Sequence, residues 1–386
     1  MRMKIPNQYK GKEQAFIKHR LLETYLERLF MIIGQHEHQI RYIDCFAGPW
    51  NTESNNLSDT SIAISLRLMK ACREKLEKMG KNVRFKALFI EKDPGSYEKL
   101  DSFLKTQSTE GVSANSMCGD FYPLRSNILK WCGNEDFTFF FIDPTGWKEV
   151  VEIETLHPLL MRKHSEYLIN FMFEFILRAH NQPLFERHMM EIFGQIPDTF
   201  GLSSKERETC LIELYRSQLI NAHGQGVHNR TRSAFVKTLD PIKDRTKYHL
   251  VYLTRHPLGI TVFMEESEKL DLVQKYVRAQ TKQDHRISRT GQRELFPAEA
   301  GIFCARMDLA AVKDYWLEKL TFDPKRFGND QLADMLEETG WFISDFQKAF
   351  NELIGEGKVK NLDAPRKRPV HAVHFEKGES LIKVKL

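Results

Sequence analysis

FTFFFIDPTG, residues 137–146, decides the fold of this chain. The apolar, β-prone run Phe137 to Ile142 fits a strand buried on both faces, and strands of that kind belong to parallel sheets covered by helices. The residues after it, Asp143, Pro144, Thr145 and Gly146, form a short loop at the strand's carboxyl end. In open α/β sheets that is the end where ligands bind.

Working outward, the same pattern repeats. IRYIDCF is a β-prone run into a loop, preceded by a helix over residues 14–33 that Gly34 ends and followed by a helix over 61–79 that Gly80 closes. A strand over 85–90, a helix over 97–106, a weak strand before Cys118 and a helix over 124–131 lead into FTFFFI. EYLINFMF is a further strand, and a long helical region runs over 174–222. TKYHLVYLTRHPLGITVF reads as two antiparallel strands joined by a turn at Pro257 and Gly259. Alternation of strand and helix predicts an α/β, Rossmann-like sheet, mostly parallel with an antiparallel end pair, as methyltransferase sheets have. Its expected bounds are residues 1–282, with a helical insertion over about 174–245 and a linker over 283–308.

The tail, 309–386, differs in character. NDQLADMLEETG with Asn329 as cap, the helix FISDFQKAFNELIGEG, and the strand-like pieces KVKNLDA and VHAVHF around a basic loop predict a winged-helix-like domain. Lys358, Lys360, Arg366, Lys367 and Arg368 on that loop favour nucleic acid, although such domains also recognise proteins.

Four strand ends carry candidate binding groups. After the first come Asp44, Cys45, Phe46, Ala47, Gly48 and Pro49, where Gly48 lets the backbone approach a ligand closely; a tight turn is the plain alternative. Glu91 ends the second and can accept both hydroxyl hydrogens of a ribose, or cap the next helix. Asp120 follows the third, placed to accept from an adenine amino group with Phe121 packing on the base, or to act as a solvated N-cap. Asp143 and Pro144, with Gly146, follow the fourth, where a carboxylate and a carbonyl can hold an amino nitrogen with its lone pair aligned, positioning being the contribution and not acid strength; a structural Asp-Pro turn is the plain alternative. Lys18 could reach a carboxylate or phosphate, or lie on a solvated helix face. His256, in the expected turn, could orient a substrate or act as a base, or pack the turn.

The residues also resemble a known family, the three-Cys-motif partner proteins, which are methyltransferase-like. KHRLLETYL (18–26), YIDCFAGPW (42–50), FFFIDPTGW (139–147) and YLTRHPLG (252–259) carry the resemblance over about the first 265 residues. It implies S-adenosylmethionine as cofactor and partnership with a small three-cysteine, radical-SAM-like protein. Three positions depart from the family pattern: Trp50 stands where a second glycine is expected, Asp59-Thr60-Ser61 where a Gly-Ser-Pro run leads into the next helix, and Thr145 where an aromatic is frequent.

Composition narrows the classes further. Hydrophobic residues at 41% and charged residues at 28% permit a sizeable core. No apolar run approaches the roughly 20 residues of a membrane span, and the first residues lack a signal-peptide core, so a cytoplasmic location is expected. The six cysteines are dispersed without a CxxC pair, against both a disulfide framework and a zinc site, and no metal is expected. A net charge of +5, with basic stretches over 230–255, 282–293 and 358–368, admits DNA or RNA as partner or solvated surface alone. The expected function is methyl transfer to an exocyclic amino nitrogen of nucleic acid; the alternative is a non-catalytic scaffold that recruits the partner.

Overall fold

The computed structural model describes residues 5–6, 9, 11–48, 60–144, 146, 150–173, 176, 186–223, 230–290, 309–364, 366, 368 and 370–385. Pro49, Trp50, Asp59, Thr145 and Lys367, singled out above, lie outside them. The chain divides into two compact units, Met1–Arg255 and His256–Leu386.

In the first unit α1 (Glu13–Ile33) precedes β1 (Gln39–Asp44), then α2 (Ser61–Lys78), β2 (Arg84–Glu91), α3 (Pro94–Gln107), β3 (Val112–Cys118), α4 (Phe121–Cys132) and β4 (Phe137–Ile142). Next come α5 (Ile153–Leu160), β5 (Ser165–Phe171), α6 (Glu186–Phe193), α7 (Ser204–His223), β6 (Arg232–Leu239) and β7 (Thr246–Thr254). The strands form one seven-stranded sheet in the order β3-β2-β1-β4-β5-β7-β6. β1 to β5 are parallel, and β7 runs antiparallel to both of its neighbours, β5 and β6. This is an α/β unit on a mostly parallel mixed sheet, consistent with a Rossmann-like core.

Every residue of β4 is buried, as a central strand with helices on both faces requires. Alternate residues face two different aromatic clusters. Phe139 stacks with Tyr42 at a centroid separation of 6.2 Å and meets Tyr25 of α1. Phe140 stacks on Tyr167 at 5.0 Å, in a core shared with Ile128, Leu156, Leu159 and Tyr215 from α4, α5 and α7. On the α1 side a fully buried carboxylate joins three elements: Glu166 of β5 accepts from Tyr25 (3.2 Å), Tyr252 (2.7 Å) and Thr254 (2.7 Å). Burial raises its carboxyl pKa, against the pull of those three hydroxyls.

The end pair is displaced from the expected one. Its strands are RSAFVKTL and TKYHLVYLT; ITVF lies instead in α8 (Pro257–Thr290) of the second unit. Pro257 begins that helix, where its fixed φ and missing N–H suit the first turn. α8 also moves the unit boundary to 255/256 and takes residues 283–290 of the expected linker, whose remainder lies outside the described residues. Among the described residues of the insertion the last helix ends at His223, and β6 occupies 232–239.

The second unit continues with α9 (Leu309–Lys319), β8 (Lys325–Phe327), α10 (Asn329–Thr339), α11 (Ile343–Gly355), β9 (Val359–Asn361) and β10 (Glu379–Lys383), with an antiparallel sheet ordered β8-β10-β9. Gly328 rather than Asn329 precedes α10, its N–H donating to Gln331 Oε1 (2.9 Å). VHAVHF is not a strand. Its backbone is satisfied by side chains: Val373 exchanges hydrogen bonds with the Gln347 amide (2.7 and 3.0 Å), and the Ala372 carbonyl accepts from Asn361 (2.9 Å). The partner strand of β9 is therefore ESLIK.

Several cations of the basic stretches are structural. Arg255 donates to the carbonyls of Arg162, Lys163 and His223, Lys237 pairs with Glu208 (2.9 Å), and Arg245 with Asp240 (3.5 Å). Arg368 is held by Glu379 (2.7 Å) and Lys358 by Glu356 (2.8 Å), which leaves Lys360 and Arg366 exposed on the described part of the basic loop. Among the described residues no helix is long and apolar enough to cross a membrane.

Candidate functional site: a cleft at the carboxyl ends of the strands

Strand order reverses between β1 and β4, so the connections leaving those two strands diverge and open a crevice at their carboxyl ends. A cleft of about 780 Å³ lies there. Its walls come from the loops after β1 (Cys45 to Gly48), β2 (Ile90 to Lys92), β3 (Gly119 to Phe121) and β4 (Asp143, Pro144, Gly146), and from Asn170 and Met172 at the end of β5. Because β7 is antiparallel, its amino end reaches the same edge and adds Lys247 and Tyr248. Gln14, Ala15, Lys18 and His19 of α1, spaced four apart on one helical face, close the remaining side.

The loops are fixed by backbone hydrogen bonds between neighbouring strand ends: Cys45 N to Phe141 O (2.9 Å), Ala47 N to Ile90 O (2.8 Å) and Gly119 N to Glu91 O (3.0 Å). Gly48 has φ +53°, and a Cβ there would stand 3.4 Å from the Phe46 carbonyl. The left-handed conformation is what requires glycine at the floor of the loop.

Asp44 does not line the cleft. It is fully buried, accepting from Phe46 N (3.1 Å) and Ser61 Oγ (2.6 Å), so it ties the β1 loop to the start of α2. Burial pushes its carboxyl pKa up to about 7, opposed by those two hydrogen bonds and by Lys18, and reinforced by the charge of Asp143. Thr60, at the start of α2, caps that helix by accepting from Ala63 N (3.2 Å).

Glu91 lines the cleft with a divided carboxylate. Oε1 accepts from Asp93 N (2.8 Å), while the buried Oε2 has no protein partner. A buried acceptor left in that state costs about 1–3 kcal/mol. Capping of the next helix falls to Asp93, which accepts from Ser96 N (2.8 Å). Asp120 precedes α4 at the N-cap position, yet its side chain makes no capping bond; the residue is exposed on the cleft. Phe121 is buried and packs on Phe46, ring centroids 5.2 Å apart.

Asp143 is already engaged on both oxygens. Oδ2 pairs with Lys18 and Oδ1 accepts from Asn170 Nδ2 (2.7 Å). Lys18 thus meets the β4 loop, half-buried against it. Asn170, a lone amide inside EYLINFMF, is 2% exposed, and its Oδ1 has no protein partner. A polar residue within the otherwise apolar run LINFMF was the available signal for it. Tyr248, whose hydroxyl donates to Gln14 O (3.0 Å), gave no such signal because its place depends on the antiparallel register.

Of the residues expected at the site, Lys18, Phe46, Ala47, Gly48, Glu91, Asp120, Phe121, Asp143, Pro144 and Gly146 line one cleft. Pro49 lies outside the described residues. His256 is not among the lining residues; it belongs to the second unit and precedes α8, its Nδ1 accepting from Leu258 N (3.2 Å), because the expected turn is a helix start. Among the described residues no cluster of His, Cys, Asp or Glu is arranged to hold a metal ion. In comparisons with known proteins, no family model and no curated protein matches the chain.

Proposed function

We propose that the first unit binds S-adenosylmethionine and is a methyltransferase-like domain acting on an amino nitrogen of nucleic acid. The observation that carries this reading is the unpartnered, buried Oε2 of Glu91 on the cleft wall at the end of β2. A vicinal diol such as the ribose of an adenosyl group supplies the hydrogens that a carboxylate in this state lacks. The Asp120 carboxylate, which makes no capping bond, suits the adenine amino group, the half-buried Phe46 the face of the base, and the Gly48 loop the methionine portion. Asp44 holds that loop in place. S-adenosylmethionine, when bound, supplies an electrophilic methyl group. Asp143, fixed by Lys18 and Asn170, is the group that orients the incoming amine.

The deciding experiment is calorimetric titration of the full chain with S-adenosylmethionine and S-adenosylhomocysteine, beside Glu91→Ala and Asp120→Ala. Binding in the micromolar range, weakened at least about tenfold in Glu91→Ala, is expected. Absence of binding by a folded chain, or unchanged affinity in Glu91→Ala, would remove the cofactor from the reading.

A second reading, a scaffold that binds the cofactor without transferring a methyl group, is favoured by the double engagement of Asp143. Cofactor binding without transfer to any DNA or RNA would select it. The second unit we read as winged-helix-like from its order of helices and three-stranded sheet. With Arg368 and Lys358 in ion pairs, and Ser344, Lys348, Glu352 and Gly355 the exposed positions of α11, protein recognition suits it better than duplex binding.

A further inference from the structure

We infer that Asn170 is a specificity-determining residue: its side-chain carbonyl accepts a hydrogen bond from the amino group of the target base, so the cleft selects bases bearing an exocyclic amine over their oxo counterparts. The inference rests on reading the cleft as a cofactor and target site. Its own support is independent of Glu91 and Asp120.

The orientation of the Asn170 amide is fixed by what it faces. An ionised carboxylate can only accept, so the amide edge turned toward Asp143 Oδ1 at 2.7 Å must be the NH₂. The same Nδ2 lies 3.5 Å from Met172 Sδ, a second contact on the donor side. The carbonyl oxygen is therefore turned away from both, and it is buried without a partner in a residue that lines the cleft. Flipping the amide would give the oxygen no relief, since it would set two acceptors against each other. The main chain of β5 is paired with β4 as far as Ile169 and with β7 through Phe171, Asn170 lying opposite Leu250.

An N–H donor brought in by a ligand would satisfy this oxygen, and a carbonyl in the same place would face it acceptor to acceptor. Sites that hydrogen-bond a substrate N–H reject analogues lacking it far more strongly than apolar pockets reject a size change. Asp143 is less able to discriminate, because Lys18 and Asn170 already occupy it. The pair thus divides the work: Asp143 orients the amine for transfer and fixes the Asn170 amide, and Asn170 reads the base.

The test uses the full chain saturated with S-adenosylhomocysteine, titrated with single-stranded oligo(dA) and oligo(dC) and with their oxo counterparts oligo(dI) and oligo(dU). The amino-bearing strands should bind at least about tenfold more tightly, and Asn170→Leu should bring the ratio to about one while its S-adenosylhomocysteine affinity stays as in the parent. Equal affinities in the parent chain overturn the proposal without recourse to any variant, as does a ratio that survives in Asn170→Leu. Failure to bind S-adenosylhomocysteine overturns the cofactor reading instead, and the same oligonucleotide pairs titrated alone then still decide the role of Asn170.

Discussion

Around Glu379 in the second unit the buried polar side chains answer one another. Glu379 accepts from Asn361 (2.7 Å), Arg368 and His374 N (2.8 Å), Asn361 also donates to Ala372 O, and Gln347 both donates to and accepts from Val373. In the first unit, at the sheet's carboxyl edge, Glu91 and Asn170 are as deeply buried, yet each keeps an oxygen with no protein partner. The first arrangement replaces a strand's ladder and fixes a loop. The second holds acceptors in place at a cost to stability, and on the cleft wall a ligand can complete them. Burial of a polar group therefore says little until its partners are counted.

That contrast can be broken from either side. The largest effect is expected for Glu379→Ala, which strands Arg368, Asn361 and the His374 N–H together: a loss of about 2–4 kcal/mol in urea denaturation, with S-adenosylhomocysteine affinity unchanged. A loss below about 1 kcal/mol would mean that the cluster is not structural. Next in size is a pH effect. The Asp44 carboxyl titrates at about 7 in the folded chain against an ordinary value of 3.8, so between these the folded state holds the extra proton and stability falls as pH rises from about 4 to about 7. Asp44→Asn should flatten that slope; a slope unchanged in the variant would assign it to another group.

Smaller still is Gln347→Leu, which removes both bonds to Val373 and should cost about 1–2 kcal/mol, with faster amide exchange over residues 370–375. The smallest stability change belongs to Glu91→Gln. It keeps an oxygen for Asp93 N and replaces the unpartnered one, so stability should move by less than about 1 kcal/mol while cofactor affinity falls about tenfold. A large destabilisation there would make Glu91 a structural residue like Glu379 and erase the difference between the two clusters.

Much of the first unit was legible because its signals are local. FTFFFI followed by DPTG, IRYIDCF followed by AGP, and KALFIE each join a strand to its loop within a dozen residues, and the parallel order carries those loops to one edge. The end pair was misplaced because HPLGITVF contains both turn residues and β-branched residues, whereas Pro257 acts as the first residue of a helix. What no local pattern shows is pairing at a distance. Lys18 meets Asp143 across 125 positions, and Tyr248 reaches the cleft only because β7 runs backwards beside β5. In the tail the ladder of β9 went to ESLIK because Gln347 and Asn361, one on α11 and one on β9 itself, had already claimed the backbone of VHAVHF.

The placement of β7 bears on how the chain is made. β5 ends at Phe171, and the strand that covers its open edge does not begin until Thr246. A ribosome that has released the first five strands has produced a sheet whose edge still exposes the unpaired main chain of SEYLINF, and the helical segment must be synthesised before that edge can close. A fragment ending at His223 should therefore associate through β5 where the intact chain does not, with light scattering as the readout; a monodisperse fragment would show that the hairpin is not what protects the nascent sheet.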